Sequence, residues 1–241
     1  MKLSIIVPVF NEEQTIYQVL LQLVKLKLPC EKEIIVVDDG STDETKSQIS
    51  NLKSQPHNVE FKTIYHKTNK GKGAAIKSGI REATGDYILI QDADLEYNPS
   101  EIPKLLYPIL NMSKSSSISE KIAVYGSRFK NNQAIIPIVY FWGNRLLTLL
   151  INLLYSIRLT DMETGYKLLP VSFLKKIKLE SSHFDIEPEI TAKLITNKIS
   201  IIEVPISYKG RTHVAGKKLT VRDAFGAIRA LLYYRFISNK V

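Results

Sequence analysis

Apolar residues fill positions 3–9 almost without break, which reads as a buried strand rather than a surface one. After Asn11 the pattern changes to Ile16, Val19, Leu20 and Leu23, the spacing of one helical face. The alternation then repeats. Further strands are expected at 34–37, 59–65 and 87–91, with a helix carrying Ala74, Ala75, Ile76 and Ile80 before the last of them. Asn11 with Gln14, and Ser41 with Glu44, have the spacing of capping boxes, so a helix is predicted to open at each. Strands separated by helices imply a mostly parallel sheet covered on both faces and joined by right-handed crossovers.

The second half is less regular. Residues 112–120 form a polar, serine-rich connection, expected to be the most mobile stretch. From 134 to 157 the only charge is Arg145, a length that invites a membrane-spanning reading. Pro137 and Gly143 interrupt that run, and a charge near its middle costs on the order of 3 kcal/mol on insertion scales. Asn144, Thr148, Asn152 and Ser156 recur every fourth position, which predicts a helix with one polar stripe and a wide apolar face, lying in a membrane interface or against the core. A short helix at 173–177, a helix at 187–196, a strand at 199–204 and an amphipathic basic helix at 220–238 complete the pattern.

Composition adds limits. The chain has 241 residues, 44% of them hydrophobic and 24% charged, enough for one well-buried core without low-complexity segments. A single cysteine, Cys30, excludes an internal disulfide and fits a reducing compartment. The opening residues read as a first strand and lack the pattern of a secretory signal. A net charge of +9 points to polyanionic partners: nucleotides, other phosphates, lipid headgroups or nucleic acid.

Chemistry concentrates at the end of the fourth expected strand. Asp92, Asp94 and Glu96 alternate there, and three carboxylates so close repel one another unless a cation or several donors neutralise them. Hard oxygen donors suit Mg2+ or Mn2+. Asp39 ends the second strand, so both acidic turns face the crevice beyond the carboxyl edge of the sheet, where open α/β sheets bind ligands. Lys70, Gly71, Lys72 and Gly73 should open nearby, with glycines for close backbone approach and lysines for phosphate. Neither a P-loop nor a G-x-G-x-x-G motif is present.

The stretches 7–12 (VPVFNE), 37–41 (VDDGS) and 91–95 (QDADL) resemble the three signatures of inverting family 2 glycosyltransferases of the GT-A fold. The resemblance continues through 126–129 (GSRF), 161–167 (DMETGYK), 184–187 (FDIE), 204–208 (VPISY), Arg211 and Lys218. This later set is similar to the dolichyl-phosphate mannose synthase branch. The resemblance implies a Rossmann-like α/β fold, a central mixed and mostly parallel sheet with helices on both sides, and amphipathic helices at the carboxyl end. It implies one domain over 1–241, with a nucleotide-sugar and metal half at 1–130 and an acceptor half at 131–241. Pro8, Phe10, Glu12, Asp39, Lys72 and Asp92 would surround the nucleotide, and Asp92, Asp94 and Glu96 would hold Mg2+ or Mn2+. Asp94, Arg128, Asp161, Arg211 and Lys218 would carry the transfer.

The chemistry of the acceptor supports the same branch. A sugar hydroxyl must be deprotonated by a base, whereas a lipid phosphate is already anionic and needs only cations to place it for attack on the anomeric carbon. Arg128, Arg211, Lys217 and Lys218 offer such cations. Of the later acids, Glu163, Asp185 and Glu187 read as surface or capping residues, and Asp161 as functional through its motif. The expected function is therefore transfer of a hexose from GDP-mannose or UDP-glucose to a polyprenyl or dolichyl phosphate, on the cytoplasmic face of a membrane with peripheral contact. A carbohydrate hydroxyl acceptor is the first alternative. A non-enzymatic polyanion binder is the second; it leaves the acidic triplet without a purpose, and nucleic acid is not expected as a partner.

Overall fold

The computed structural model describes residues 1–111, 122–130, 134–211 and 221–237. The serine-rich stretch at 112–120 and the lysines at 217 and 218 lie outside them. Strands β1 (Lys2–Val9), β2 (Glu31–Asp38), β3 (Glu60–Tyr65) and β4 (Tyr87–Ile90) alternate with helices α1 (Ile16–Lys25), α2 (Thr45–Lys53) and α3 (Lys72–Glu82). A 3-10 turn at Pro99–Glu101 and α4 (Ile102–Asn111) follow, then β5 (Ile122–Ser127), β6 (Ala134–Ile135) and α5 (Ile138–Tyr155). The remainder is β7 (Lys167–Pro170), α6 (Val171–Leu174), α7 (Ile186–Thr196), β8 (Ser200–Pro205), β9 (Tyr208–Lys209) and α8 (Val221–Phe236).

Seven strands form one sheet in the order β3-β2-β1-β4-β7-β5-β8, while β6 and β9 make a small second sheet. Within the large sheet β7 alone runs antiparallel to its neighbours, pairing Leu168 with Leu89 and with Val124. Side chains alternate across the pleat. Ile5, Val7, Ile34, Val36 and Leu89 face α1, α2 and α4, whereas Ile6, Ile35, Val37, Ile88 and Ile90 face α3, α6 and α7. Burial on both faces explains the nearly continuous apolar runs of β1 and β2.

Neither expected capping box forms. Helix α1 starts only at Ile16, and Asn11 sits in the left-handed region at φ 48, with its Oδ1 accepting from the Thr42 amide. Helix α2 starts at Thr45, and Ser41 Oγ accepts from the Asn11 amide. These polar side chains tie the β1 and β2 loops to each other across the crevice rather than capping their own helices, so tertiary partners displaced the local ones.

The polar stripe of α5 points inward. Thr148 Oγ1 accepts from the Met162 amide, and Asn152 makes two bonds to the backbone of Leu159. Leu147 and Ile151 pack with Met162 and with Ala227 and Leu231 of α8. Apart from the exposed Arg145, the outward face is apolar: Ile138, Trp142, Leu146, Leu149 and Leu153 are each more than half exposed. Among the described residues no helix is long and apolar enough to cross a membrane.

Candidate active site

The carboxyl ends of β1, β2 and β4 open on one cavity of about 340 Å³. Pro8, Phe10 and Glu12 from the β1 turn, Asp39 from the β2 turn, and Asn69 and Gly71 from the segment before α3 form one side. Asp92, Asp94, Glu96 and Lys72 form the floor, and Arg128, Glu163, Gly165, Glu187, Tyr208 and Arg211 close the far side. The two acidic turns expected to share a crevice do share it. Asp161 and Lys218 are the exceptions among the site residues expected from sequence: Asp161 is fully buried behind the wall, and Lys218 lies outside the described residues.

Asp39 is only 3% exposed and is held by its surroundings. It accepts from the amides of Lys70 and Gly71, and its Oδ1 lies 2.6 Å from His66 Nδ1, while His66 Nε2 meets Ser78 Oγ at 2.9 Å. Gly71 adopts φ 96, and a Cβ there would run into Ser182 and His183, so glycine is required where the loop crosses the 181–183 segment. This fixes the start of α3, from whose first residue Lys72 reaches into the floor.

Each acid on the floor meets an internal cation. Lys72 Nζ lies 2.8 Å from Asp92 and 3.2 Å from Glu187. Burial alone would lower the Lys72 pKa, but Asp92 and Glu187 raise it, so it stays charged. Arg211 donates to both oxygens of Glu12 at 3.0 Å and to Asp94 at 3.1 Å. Glu96 accepts from the Tyr208 hydroxyl at 2.5 Å and from the Arg211 amide at 2.6 Å, which fastens the 208–211 turn over the floor. Leu95, between the two acids, takes φ 60, a conformation rare for leucine and kept here at the site.

These contacts bear on the expected metal. Among the described residues no three acids converge on one point. Asp92 and Asp94 nevertheless offer hard oxygens side by side, and burial with the charges of Asp92 and Glu96 pushes Asp94 up to about 7 even beside Arg211. The floor is short of positive charge. Mg2+ is commonly held by one or two carboxylates with the remaining positions filled by substrate phosphates and water, so a pair of aspartates fits such an ion.

On the far wall, Arg128 is 5% exposed and forms two parallel bonds to Asp161, from Nε at 2.8 Å and from Nη2 at 2.7 Å. Its guanidinium lies over the rings of Tyr208 and Phe129 at 5.1 and 5.7 Å. Lys167 Nζ is 2.5 Å from Glu187; burial alone would raise the Glu187 carboxyl, but Lys167 and Lys72 hold it below the ordinary range. Burial pushes Glu163 up to about 7 against the pull of Lys167, with Glu187 adding to the rise. Reading Glu163 as a surface or capping residue was wrong, because the antiparallel β7 folds the 161–166 loop back over Asp92; Glu187 does stand in the first turn of α7, but it is buried against Lys72 and Lys167 rather than at the surface. Gly165 marks that approach: a Cβ there would lie 2.5 Å from Asp92 Oδ2. Lys167 and Tyr208 lie in the family-like stretches 161–167 and 204–208 but were given no role of their own, and His66 had no local signal; each acts through a partner distant in sequence.

Glucosyl-3-phosphoglycerate synthase from Mycobacterium tuberculosis, solved with Mn2+ and uridine-diphosphate-glucose, has the same fold: the TM-score is 0.73 over 99% of this chain and 80% of that one, at 17% identity. The mixed, mostly parallel sheet with its crevice at the carboxyl edge is thus a GT-A-type fold. The sequence profile of glycosyl transferase family 2 matches residues 4–178, and the chain belongs to that family. The UDP-N-acetylglucosamine–dolichyl-phosphate N-acetylglucosaminyltransferase of Methanococcus voltae is 31% identical over 219 residues, covering 84% of this chain and 83% of that protein. The dolichyl-phosphate beta-glucosyltransferase of Saccharomyces cerevisiae is 30% identical, covering 91% of this chain and 69% of the relative.

Proposed function

We propose that this glycosyltransferase moves a hexose, with inversion, from a nucleoside diphosphate sugar (GDP-mannose or UDP-glucose) to a polyprenyl or dolichyl phosphate, releasing the nucleoside diphosphate. One juxtaposition carries the acceptor side of the proposal. Phe129, next to Arg128, packs edge-on against Phe141 of α5 at 5.5 Å, and Arg145 lies over the same ring at 5.6 Å. The phosphate-orienting arginine is therefore joined directly to the helix whose outward face is apolar. A lipid phosphate has the matching shape: an anionic head for the cleft and an apolar tail for the stripe beginning at Ile138 and Trp142. The curated relatives named above act on dolichyl phosphate, which supports the same class.

In this reading residues 1–130 and 131–241 are the donor and acceptor halves of one domain. Pro8, Phe10 and Glu12 surround the nucleoside, Asp39 sets the loop that carries Lys72, and Lys72 faces the diphosphate. Asp92 and Asp94 would hold Mg2+ or Mn2+, which would supply positive charge for the diphosphate leaving group. Glu96 anchors the turn that carries Arg211. Arg128, held by Asp161, orients the acceptor phosphate, and Arg211 exchanges its carboxylate partners for phosphate when donor and metal enter. Contact with the cytoplasmic membrane face is peripheral, through α5 and α8. A hydroxyl acceptor is the second reading, favoured by Glu163, whose carboxyl at about 7 is poised as a general base.

The test is incubation of the purified chain with a panel of nucleotide sugars, Mn2+ and either a polyprenyl phosphate or free sugars. A labelled lipid product is expected, lost in EDTA and in Asp94→Asn, which subtracts one metal-facing charge at constant shape. Product with free sugars only, or full turnover in EDTA, would overturn the reading.

A further inference from the structure

Five acids that line this cleft have a cation against them: Glu12, Asp94 and Glu96 meet Arg211, Asp92 meets Lys72, and Glu187 meets Lys72 and Lys167. Glu163 forms no ion pair among the described residues, and its buried Oε1 accepts no hydrogen bond. An unpartnered polar atom in such a place is unfavourable by itself, so a ligand group that completes it gains the full cost of leaving it unmet. Two observations narrow that group. The cations near Glu163, Lys167 and Arg128, are already engaged by Glu187 and Asp161, so neither is free here to hold a phosphate, while a neutral hydroxyl can donate to a carboxylate or accept from a carboxylic acid. The position also fits, because Glu163 lines the side of the cavity away from Pro8 and Asp39, and its loop presses on Asp92 through Gly165. Glu163 thus shares one cavity with Asp92 and Lys72, where the diphosphate of the reading above would sit.

We propose that Glu163 is a donor-specificity residue whose carboxyl hydrogen-bonds a ring hydroxyl of the hexose being transferred. The inference rests on the nucleotide-sugar reading above and adds which side chain reads the sugar. Glu187, already fixed by two lysines, keeps the wall in place.

The experiment is calorimetric titration of wild type, Glu163→Gln and Glu163→Ala, with Mn2+ present, against UDP, GDP, UDP-glucose, GDP-mannose and the monodeoxy versions of whichever sugar nucleotide binds. Affinity for the free nucleotide should stay within about twofold in both variants. Affinity for the nucleotide sugar should fall roughly tenfold to a hundredfold in Glu163→Ala, the range of a hydrogen bond to a charged partner, and less in Glu163→Gln, which keeps one donor and one acceptor. One monodeoxy donor should bind wild type as poorly as the intact donor binds Glu163→Ala, and should lose nothing further in that variant. Equal loss of nucleotide and nucleotide sugar overturns the proposal, as does unchanged sugar affinity. Turnover abolished in Glu163→Gln at unchanged donor affinity also overturns it, in favour of a general base. Lipid product formed by a protein whose Glu163 variants bind donor normally leaves the transferase reading standing and removes this one, whereas wild type that binds no nucleotide sugar removes both.

Discussion

Glu163 carries a stability cost that depends on pH. Its carboxyl is pushed up to about 7, above the ordinary carboxylate range, so the folded chain holds a proton that the unfolded chain releases near 4.5. Between those values the folded state binds more protons, and stability falls as pH rises; the loss is complete above about 7. Glu163→Gln removes the titration while keeping the shape. The variant should therefore gain on wild type by about 2 kcal/mol between pH 5 and pH 8, read from paired thermal or denaturant melts. A constant difference across that range would show that the carboxyl titrates normally. Arg211 is the other residue whose neighbours define it. As a cation in the sequence it suits a phosphate, but in the fold its guanidinium bridges Glu12 on the nucleoside side and Asp94 on the floor. Removing it touches donor and acceptor sides together, so nucleotide affinity is not expected to be spared in Arg211→Ala.

Helix α5 shows how one element serves two surfaces. Its polar positions are used inside, where Thr148 and Asn152 satisfy backbone groups of the 159–162 loop that leads to Asp161 and Glu163. Asn152→Ala would leave the Leu159 amide and carbonyl without these partners, at a cost of roughly 1 to 3 kcal/mol. For a chain of this size that amounts to a fall in Tm of several degrees, and the loop it fixes should make transfer fall with it. Calorimetric melting beside a transfer assay checks this, and an unchanged melt would mean that the loop is held from elsewhere. Helix α8 complements α5: Ala227 and Leu231 face it, while Phe225 and Phe236 are about 70% exposed.

For the whole molecule, the apolar outer faces of α5 and α8 combine with a net charge of +9. Such a surface should bind anionic vesicles through apolar insertion reinforced by a screened attraction. Co-sedimentation with vesicles containing anionic lipid is expected for wild type, weaker at high salt, and largely lost in the Leu149→Asp, Leu153→Asp double variant at unchanged melting temperature. Equal sedimentation of the two proteins would remove the membrane contact from the account.

What could be known from sequence followed from patterns that carry their own physical cause. Continuous apolar runs separated by helical spacing specify a doubly covered parallel sheet, because only such a sheet buries both faces of β1, β2 and β4. Acids at the ends of β2 and β4 then had to meet at one edge, and they do. The capping boxes at Asn11 and Ser41 failed because local hydrogen-bond spacing was outcompeted by partners from the other loop. The polar stripe of α5 was visible, but not its direction, since period alone does not say whether a hydroxyl faces water or an unpaired backbone amide. The reversal of β7 decided the most. Antiparallel pairing folds the 161–166 loop over Asp92, turning Glu163 from an apparent surface acid into the cleft wall and setting Arg128 on Asp161, while Lys72 and Lys167 draw in Glu187 from the first turn of α7. Such contacts join residues tens of positions apart, and their energies arise only when burial removes water from both partners at once; tertiary structure alone decided them.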